Sequence, residues 1–278
     1  MRFGCCLNMA STKADGTGAE WLSALKKAGY DYAELPMAQM MQLDDGQFRK
    51  LSGKLEKVGI PCETSNNLFP VTMRLTGPVV DMDEVLTYAG KAFERAEQLG
   101  VARCVFGSGP AKSVPEGFPK EEGLHQIEEL LHRIAPVAVR HHVTIVLEPL
   151  RKQEDNLINT FEEGVLLAKK VQEENVKVLV DFYHFTVEEE PLEHLLRDGR
   201  EYLRHVHFAN PNGRVYPRKA EEADYLPFVS ALKEVGYNER ISCEAYPING
   251  FEEDAQLSRT FFEELFAGFQ RFEQHRNQ

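Results

Sequence analysis

No stretch of the 278-residue chain carries the roughly 18 consecutive apolar residues that a membrane-spanning helix requires. The opening MRFGCCLNM has no charged-then-apolar leader and reads as a first β-strand, so a cytoplasmic protein is expected. No C-x-x-C pair occurs. The five cysteines, Cys5, Cys6, Cys62, Cys104 and Cys243, each sit in an apolar strand-like segment, as buried reduced thiols do. Basic residues are few: 32 Lys and Arg face 44 Asp and Glu, for a net charge of −12. Such a mean field repels nucleic acid and anionic lipid, which argues against both as partners. The glycine-rich dinucleotide fingerprint is absent, because GCCLNMAS follows the first strand. No linker or low-complexity stretch divides the chain, and residues 1–278 read as one domain.

What is present is an alternation. Short apolar runs at 2–8, 30–36, 60–65, 102–107, 143–149, 176–182, 203–209 and 240–245 read as strands. Segments of helical period lie between and after them, at 18–28, 46–58, 83–99, 121–141, 161–173, 189–198, 222–235 and 254–272. The strict order implies parallel strands with helical crossovers. The punctuation agrees. KKAGYD, EKVGIP, EQLGVA and KEVGYN each place a Gly just past a helix, where a left-handed C-cap is needed. Thr160 followed by Glu163 reads as a capping box. Eight strands favour closure, so the expected fold is a single (β/α)₈ TIM barrel with its active site at the strand C-termini.

Four of the late strands end in a residue able to bind a divalent metal: Glu148 in TIVLEPL, Asp181 in VLVDFYH, His207 in RHVHFAN and Glu244 in ISCEAY. An unpaired carboxylate at the end of an aliphatic run is costly to bury, which argues for a shared ligand. Three oxygen donors and one nitrogen suit Mn²⁺, Co²⁺ or Mg²⁺ better than a structural zinc. His205 alternates with His207 and lies one layer deeper, as a packing residue. Glu154, His184 and Arg214 follow the ligand strands in loops that reach the same mouth. Glu34 and Glu63 also stand at strand ends, where they could pair with basic groups inside the barrel. The run GSGPAK, ending at Lys112, could offer amides and an ammonium to an anion, or be a plain turn.

With these residues assembled, the chain resembles the xylose isomerase-like TIM-barrel superfamily, and within it the sugar isomerase/epimerase branch typified by D-tagatose and D-psicose 3-epimerases. LEPLRKQEDNLINT, VDFYH, HVHFAN and SCEA carry the resemblance, which spans essentially the whole chain. It implies one divalent ion, Mn²⁺ or a similar ion (Co²⁺, Mg²⁺ or Zn²⁺), on Glu148, Asp181, His207 and Glu244. It further implies that Glu148 and Glu244 move the proton, and that Glu154, His184 and Arg214 hold the oxygens of a small sugar substrate. The chemistry would run through an enediolate, with a proton removed beside the carbonyl and returned to the other face, or to the neighbouring carbon in an aldose–ketose isomerisation. A homo-oligomer, dimer or tetramer, is in keeping with this. The branch's aromatic platform after strand 4 is missing, since FGSGPAK has no aromatic after Phe106 and the single Trp is Trp21. An inosose dehydratase-like lyase and a non-catalytic sugar-binding barrel remain as alternatives.

Overall fold

The structure, a computed structural model, describes residues 1–276, with side chains described as far as residue 267. Eight parallel strands close into a barrel in chain order. They are β1 (Arg2–Cys6), β2 (Tyr32–Pro36), β3 (Cys62–Asn66), β4 (Arg103–Phe106), β5 (Thr144–Leu147), β6 (Val176–Asp181), β7 (Leu203–Phe208) and β8 (Arg240–Cys243). β1 pairs with both β2 and β8, so no edge is left to recruit another chain. The expected TIM barrel is the observed one.

Period-2 alternation sorts the strand residues into two faces. Outward-facing Ile145, Leu147, Val178, Val180, Val206, Phe208 and Ile241 join the large apolar core shared with the helices. Inside the barrel the filling is uneven. Val105, Val146 and Leu179 form a small apolar plug on β4 to β6. The opposite half is polar: Tyr32, Glu34, Thr64, His205 and Ser242 are joined by hydrogen bonds. A glycine makes this half possible, because a Cβ at Gly4 would lie 2.1 Å from the Tyr32 ring. Val146, Leu179, His205 and Ser242 thus form a floor, and the residue two positions on in each strand direction is Glu148, Asp181, His207 or Glu244.

The expected punctuation is present. Gly59 and Gly100 are left-handed C-caps at φ 70 and 76, and Gly29 and Gly236 also have positive φ. Thr160 accepts from the Glu163 amide at 3.1 Å and the Glu163 side chain returns to the Thr160 amide. The boundaries differ in a patterned way. β5 and β8 stop at Leu147 and Cys243, so Glu148 and Glu244 stand just beyond the strands rather than within them. The expected helix 189–198 begins later, at Leu192–Tyr202, because Pro191 sits at its N-cap. Three short helices sit directly after strands, Met37–Met40, Gly109–Lys112 and Phe182–Val187, where plain loops were expected. No helix among the described residues is long and apolar enough to cross a membrane.

The capping box gives a direct test of this reading. Thr160→Ala should destabilise the protein by about 0.5–2 kcal/mol, measured by urea unfolding, since it strips one partner from the first turn of Phe161–Val171. An unchanged unfolding midpoint would show that the cap carries no weight.

Candidate active site

Each of the four strand-end residues arrives with its functional atom already oriented. Asp181 caps the helix Phe182–Val187, and its Oδ1 accepts from the Tyr183 amide at 2.9 Å, which leaves Oδ2 facing the mouth. His207 is held from below. Its Nε2 lies 3.0 Å from Glu34 Oε1, while Nδ1 faces Glu148 Oε1 at 2.9 Å and Glu244 Oε2 at 3.2 Å. Burial works against a charge on Glu34, but His207 and His205 outweigh it and hold the carboxyl well below its ordinary range. Ionised Glu34 can only accept, so Nε2 carries the proton and Nδ1 points its ring lone pair at the cluster when the imidazole is neutral. Glu148 has room for its carboxylate because β4 is followed by a residue with no side chain: a Cβ at Gly107 would sit 2.2 Å from Glu148 Oε2.

One ligand atom from each of Glu148, Asp181, His207 and Glu244 can be chosen so that all four lie within 4.8 Å of one another, and all four residues are buried. Donors sharing one ion at about 2.0–2.6 Å cannot stand more than about 5 Å apart, so the spacing fits a single centre. The electrostatics fit as well. Burial pushes Glu148 upward and Asp181 to about 7. Glu244 is depressed despite its burial, because His207 and Arg214 face it. For His207, burial favours the neutral ring, yet Cys6, Glu244, Glu34 and Glu148 together raise it well above its usual value. Three carboxylates in one dry spot demand positive charge. His207 and Arg214 supply some of it, and a divalent ion meets the same demand.

The rim is formed by loops after β5, β6 and β7. Arg214 Nη2 donates to Glu244 Oε2 at 2.6 Å and lies 3.5 Å from Asp181 Oδ2, while its Nη1 is 3.5 Å from Glu154 Oε2. His184 is buried, and its Nδ1 accepts from the Arg151 amide at 3.3 Å. Its Nε2 therefore carries hydrogen and faces Asp181 Oδ2 at 3.4 Å and Glu154 Oε2 at 4.0 Å. Burial first, then Arg214, holds His184 well below its usual pKa, so it is a neutral donor. Two contributors carried no signal in the sequence. Tyr183 takes the guanidinium of Arg151 at 5.3 Å and of Arg214 at 5.1 Å on its ring. Asn66, at the end of β3, places Nδ2 3.4 Å from Glu244 Oε1 and 2.9 Å from Asn8 Oδ1.

Three of the weaker candidates resolve differently. Glu34 does pair with basic groups inside the barrel, contacting His205 and His207, and also accepts from Thr64 and Ser242. Glu63 does not reach the mouth. It is the second residue of β3 and bonds Arg2 and Arg240, each at 2.5 Å, where β1 and β8 begin. A register shift between β2 and β3 separates it from the Glu34 layer. Lys112 is not free to meet an external anion, because its ammonium is already spent within the fold. Its Nζ donates to the Glu148 carbonyl at 3.0 Å and pairs with Asp155 Oδ2 at 3.4 Å. GSGPAK thus holds down the loop of Glu148 and Glu154, and a Cβ at Gly109 would come within 2.5 Å of the Glu154 carbonyl.

A closed (β/α)₈ barrel with three carboxylates and an imidazole converging at its strand C-termini defines a class: barrels whose mouth could hold a divalent ion. Residues 22–264 match the family model of the xylose isomerase-like TIM barrel, and the chain belongs to that family. It is 35% identical to a D-psicose 3-epimerase of Ruminiclostridium cellulolyticum over 121 residues, 42% of this chain and 40% of that protein. It is 26% identical to an L-ribulose 3-epimerase of Methylomonas sp. over 231 residues, 81% of this chain and 77% of that one. Among solved structures, D-psicose 3-epimerase with D-tagatose from Clostridium cellulolyticum H10 superposes with a TM-score of 0.81 at 22% identity, covering 95% and 99% of the two chains. The IOLI protein with a zinc atom superposes at 0.75 and 20% identity, covering 97% and 99%.

The support beneath His207 generates its own prediction. Glu34→Gln keeps the shape but removes the obligate acceptor, and should weaken Mn²⁺ binding about 10–100-fold in a calorimetric titration. Unchanged affinity would show that Glu34 serves packing alone.

Proposed function

We propose that the chain is a divalent metal-dependent epimerase of a small unphosphorylated ketose or related polyol-derived sugar. The reading is carried by one observation: Glu148 from the end of β5 and Glu244 from the end of β8 approach the same imidazole nitrogen of His207 from two directions. With Asp181 they make a donor set suited to Mn²⁺, or to Co²⁺, Mg²⁺ or Zn²⁺ in its place. The bound ion would act as a Lewis acid on the substrate's carbonyl side and make the neighbouring C–H more acidic.

The protein's own groups do the rest. One of the two glutamates takes the proton beside the carbonyl from one face of the sugar, and the other delivers a proton to the opposite face. The carbon between them is inverted with no net change in composition. His184 Nε2–H donates to a substrate oxygen, and the Arg214 guanidinium, braced on Tyr183, holds another. Glu154, tied to Arg151 at 2.6 Å, accepts from a hydroxyl at the rim. The names of the relatives, psicose and ribulose 3-epimerases, agree with this assignment. An unphosphorylated substrate is favoured by the net charge of −12 and by Lys112, whose ammonium is consumed by Glu148 and Asp155.

Two measurements test the proposal. In deuterated water, NMR should show solvent deuterium on the epimerised carbon of a product isomeric with its substrate. A product lighter by one water would assign the chain to dehydration instead. Glu148→Gln and Glu244→Gln should each lower turnover by about 10²-fold or more. Metal content must be measured in both variants, and full activity at full occupancy removes that residue from the mechanism. The parent ketose should also give a higher kcat/KM than its phosphate ester; the reverse order contradicts the substrate class.

A further inference from the structure

The rim groups given a substrate contact so far all come from one side of the barrel. Glu154, His184 and Arg214 follow β5, β6 and β7. The strands facing them across the closed barrel are β1 to β3. On that side the mouth carries two amides, Asn8 in the 3₁₀ turn after β1 and Asn66 at the end of β3. Asn66 is 1% exposed. Its Nδ2 is spent on Asn8 Oδ1 at 2.9 Å and on Glu244 Oε1 at 3.4 Å. The Glu244 contact favours this orientation of the amide, because a flip would set its oxygen against a carboxylate oxygen. Its Oδ1 is buried and has no partner among the described residues. A buried amide oxygen without a donor is destabilising by about 1–3 kcal/mol, and beside the cluster a substrate hydroxyl can supply the missing donor.

We infer that Asn66, braced by Asn8, is a specificity-determining subsite that accepts a hydrogen bond from a substrate hydroxyl at the end of the sugar opposite His184 and Arg214. This rests on the ketose reading above. A ketose lying across the cluster would be held on one side by Glu154, His184 and Arg214 and on the other by Asn66. After β4 the chain continues as Gly107 and Ser108, which present no aromatic face to a sugar. A site built to accept from a hydroxyl rejects the analogue that lacks it, because the acceptor is then left unpaired.

The experiment uses the full chain loaded with Mg²⁺, with D-fructose and its 4-, 5- and 6-deoxy analogues as probes. In ¹⁵N-labelled protein the side-chain amide resonances of Asn66 should move on addition of saturating D-fructose and stay unmoved with one of the deoxy sugars. In kinetics, that same deoxy sugar should show a KM raised about 10-fold or more in the wild type. Asn66→Leu should raise the KM for D-fructose to a similar degree and leave the value for that deoxy sugar unchanged. An Asn66 resonance untouched by D-fructose, or a variant that weakens all four sugars equally, overturns the subsite. If the resonance moves but no ketose is turned over, the subsite stands and the epimerase reading falls. The wild-type titration gives its answer even if Asn66→Leu does not fold.

Discussion

Three carboxylates placed together in a water-poor pocket repel one another, and much of the surrounding structure follows from keeping them there. Glu148, Asp181 and Glu244 are all buried and sit within reach of one another. A domain of ordinary stability cannot carry three uncompensated buried charges. Positive charge must therefore be brought in, and it arrives from two levels. Arg214 comes from above, on a loop pinned by the pairing of Val215 with Asn210 and Tyr246. His207 comes from within, seated on Glu34. A divalent cation would relieve the same repulsion.

The polar half of the barrel interior is the structural consequence. TIM barrels are usually filled by branched aliphatic residues. Here Val105, Val146 and Leu179 fill only the β4–β6 side. The other side is given over to Tyr32, Glu34, Thr64, His205 and Ser242, with each oxygen of Glu34 used. His205 Nδ1 has no partner among the described residues, but the bonds that converge on Glu34 hold its carboxylate in place beneath the His207 ring. Gly4 and Gly107 contribute by absence: one yields to the Tyr32 ring and the other to the Glu148 carboxylate. Sequence, packing and chemistry meet at these positions.

Much of this was legible before any coordinates. Alternating apolar runs, glycine C-caps and the Thr160 capping box are local signals, and local signals predict local structure well. The convergence of the four strand-end residues was readable because a polar residue ending an aliphatic strand has few structural explanations. What stayed hidden depended on partners distant in sequence. Lys112 looked available because nothing near it announces Asp155 and the Glu148 carbonyl as its partners. Glu63 reads like Glu34 as a partner of basic groups inside the barrel. Instead it pairs with Arg2 and Arg240 where β1 and β8 begin, and the register shift between β2 and β3 that goes with this leaves no mark in the composition. Asn66 and Asn8 carry no signal of their own, because asparagine after a strand is common in turns. Their meeting across β1 and β3 exists only once the barrel is closed.

The central claim is that one ion is shared by four side chains at the mouth. Crystals grown with Mn²⁺, with diffraction collected at the manganese edge, test it most directly. The account predicts a single strong anomalous peak per chain, ligated by Glu148, Asp181, His207 through Nδ1, and Glu244. A peak elsewhere, ligation through His207 Nε2, or no peak at saturating Mn²⁺ would contradict it.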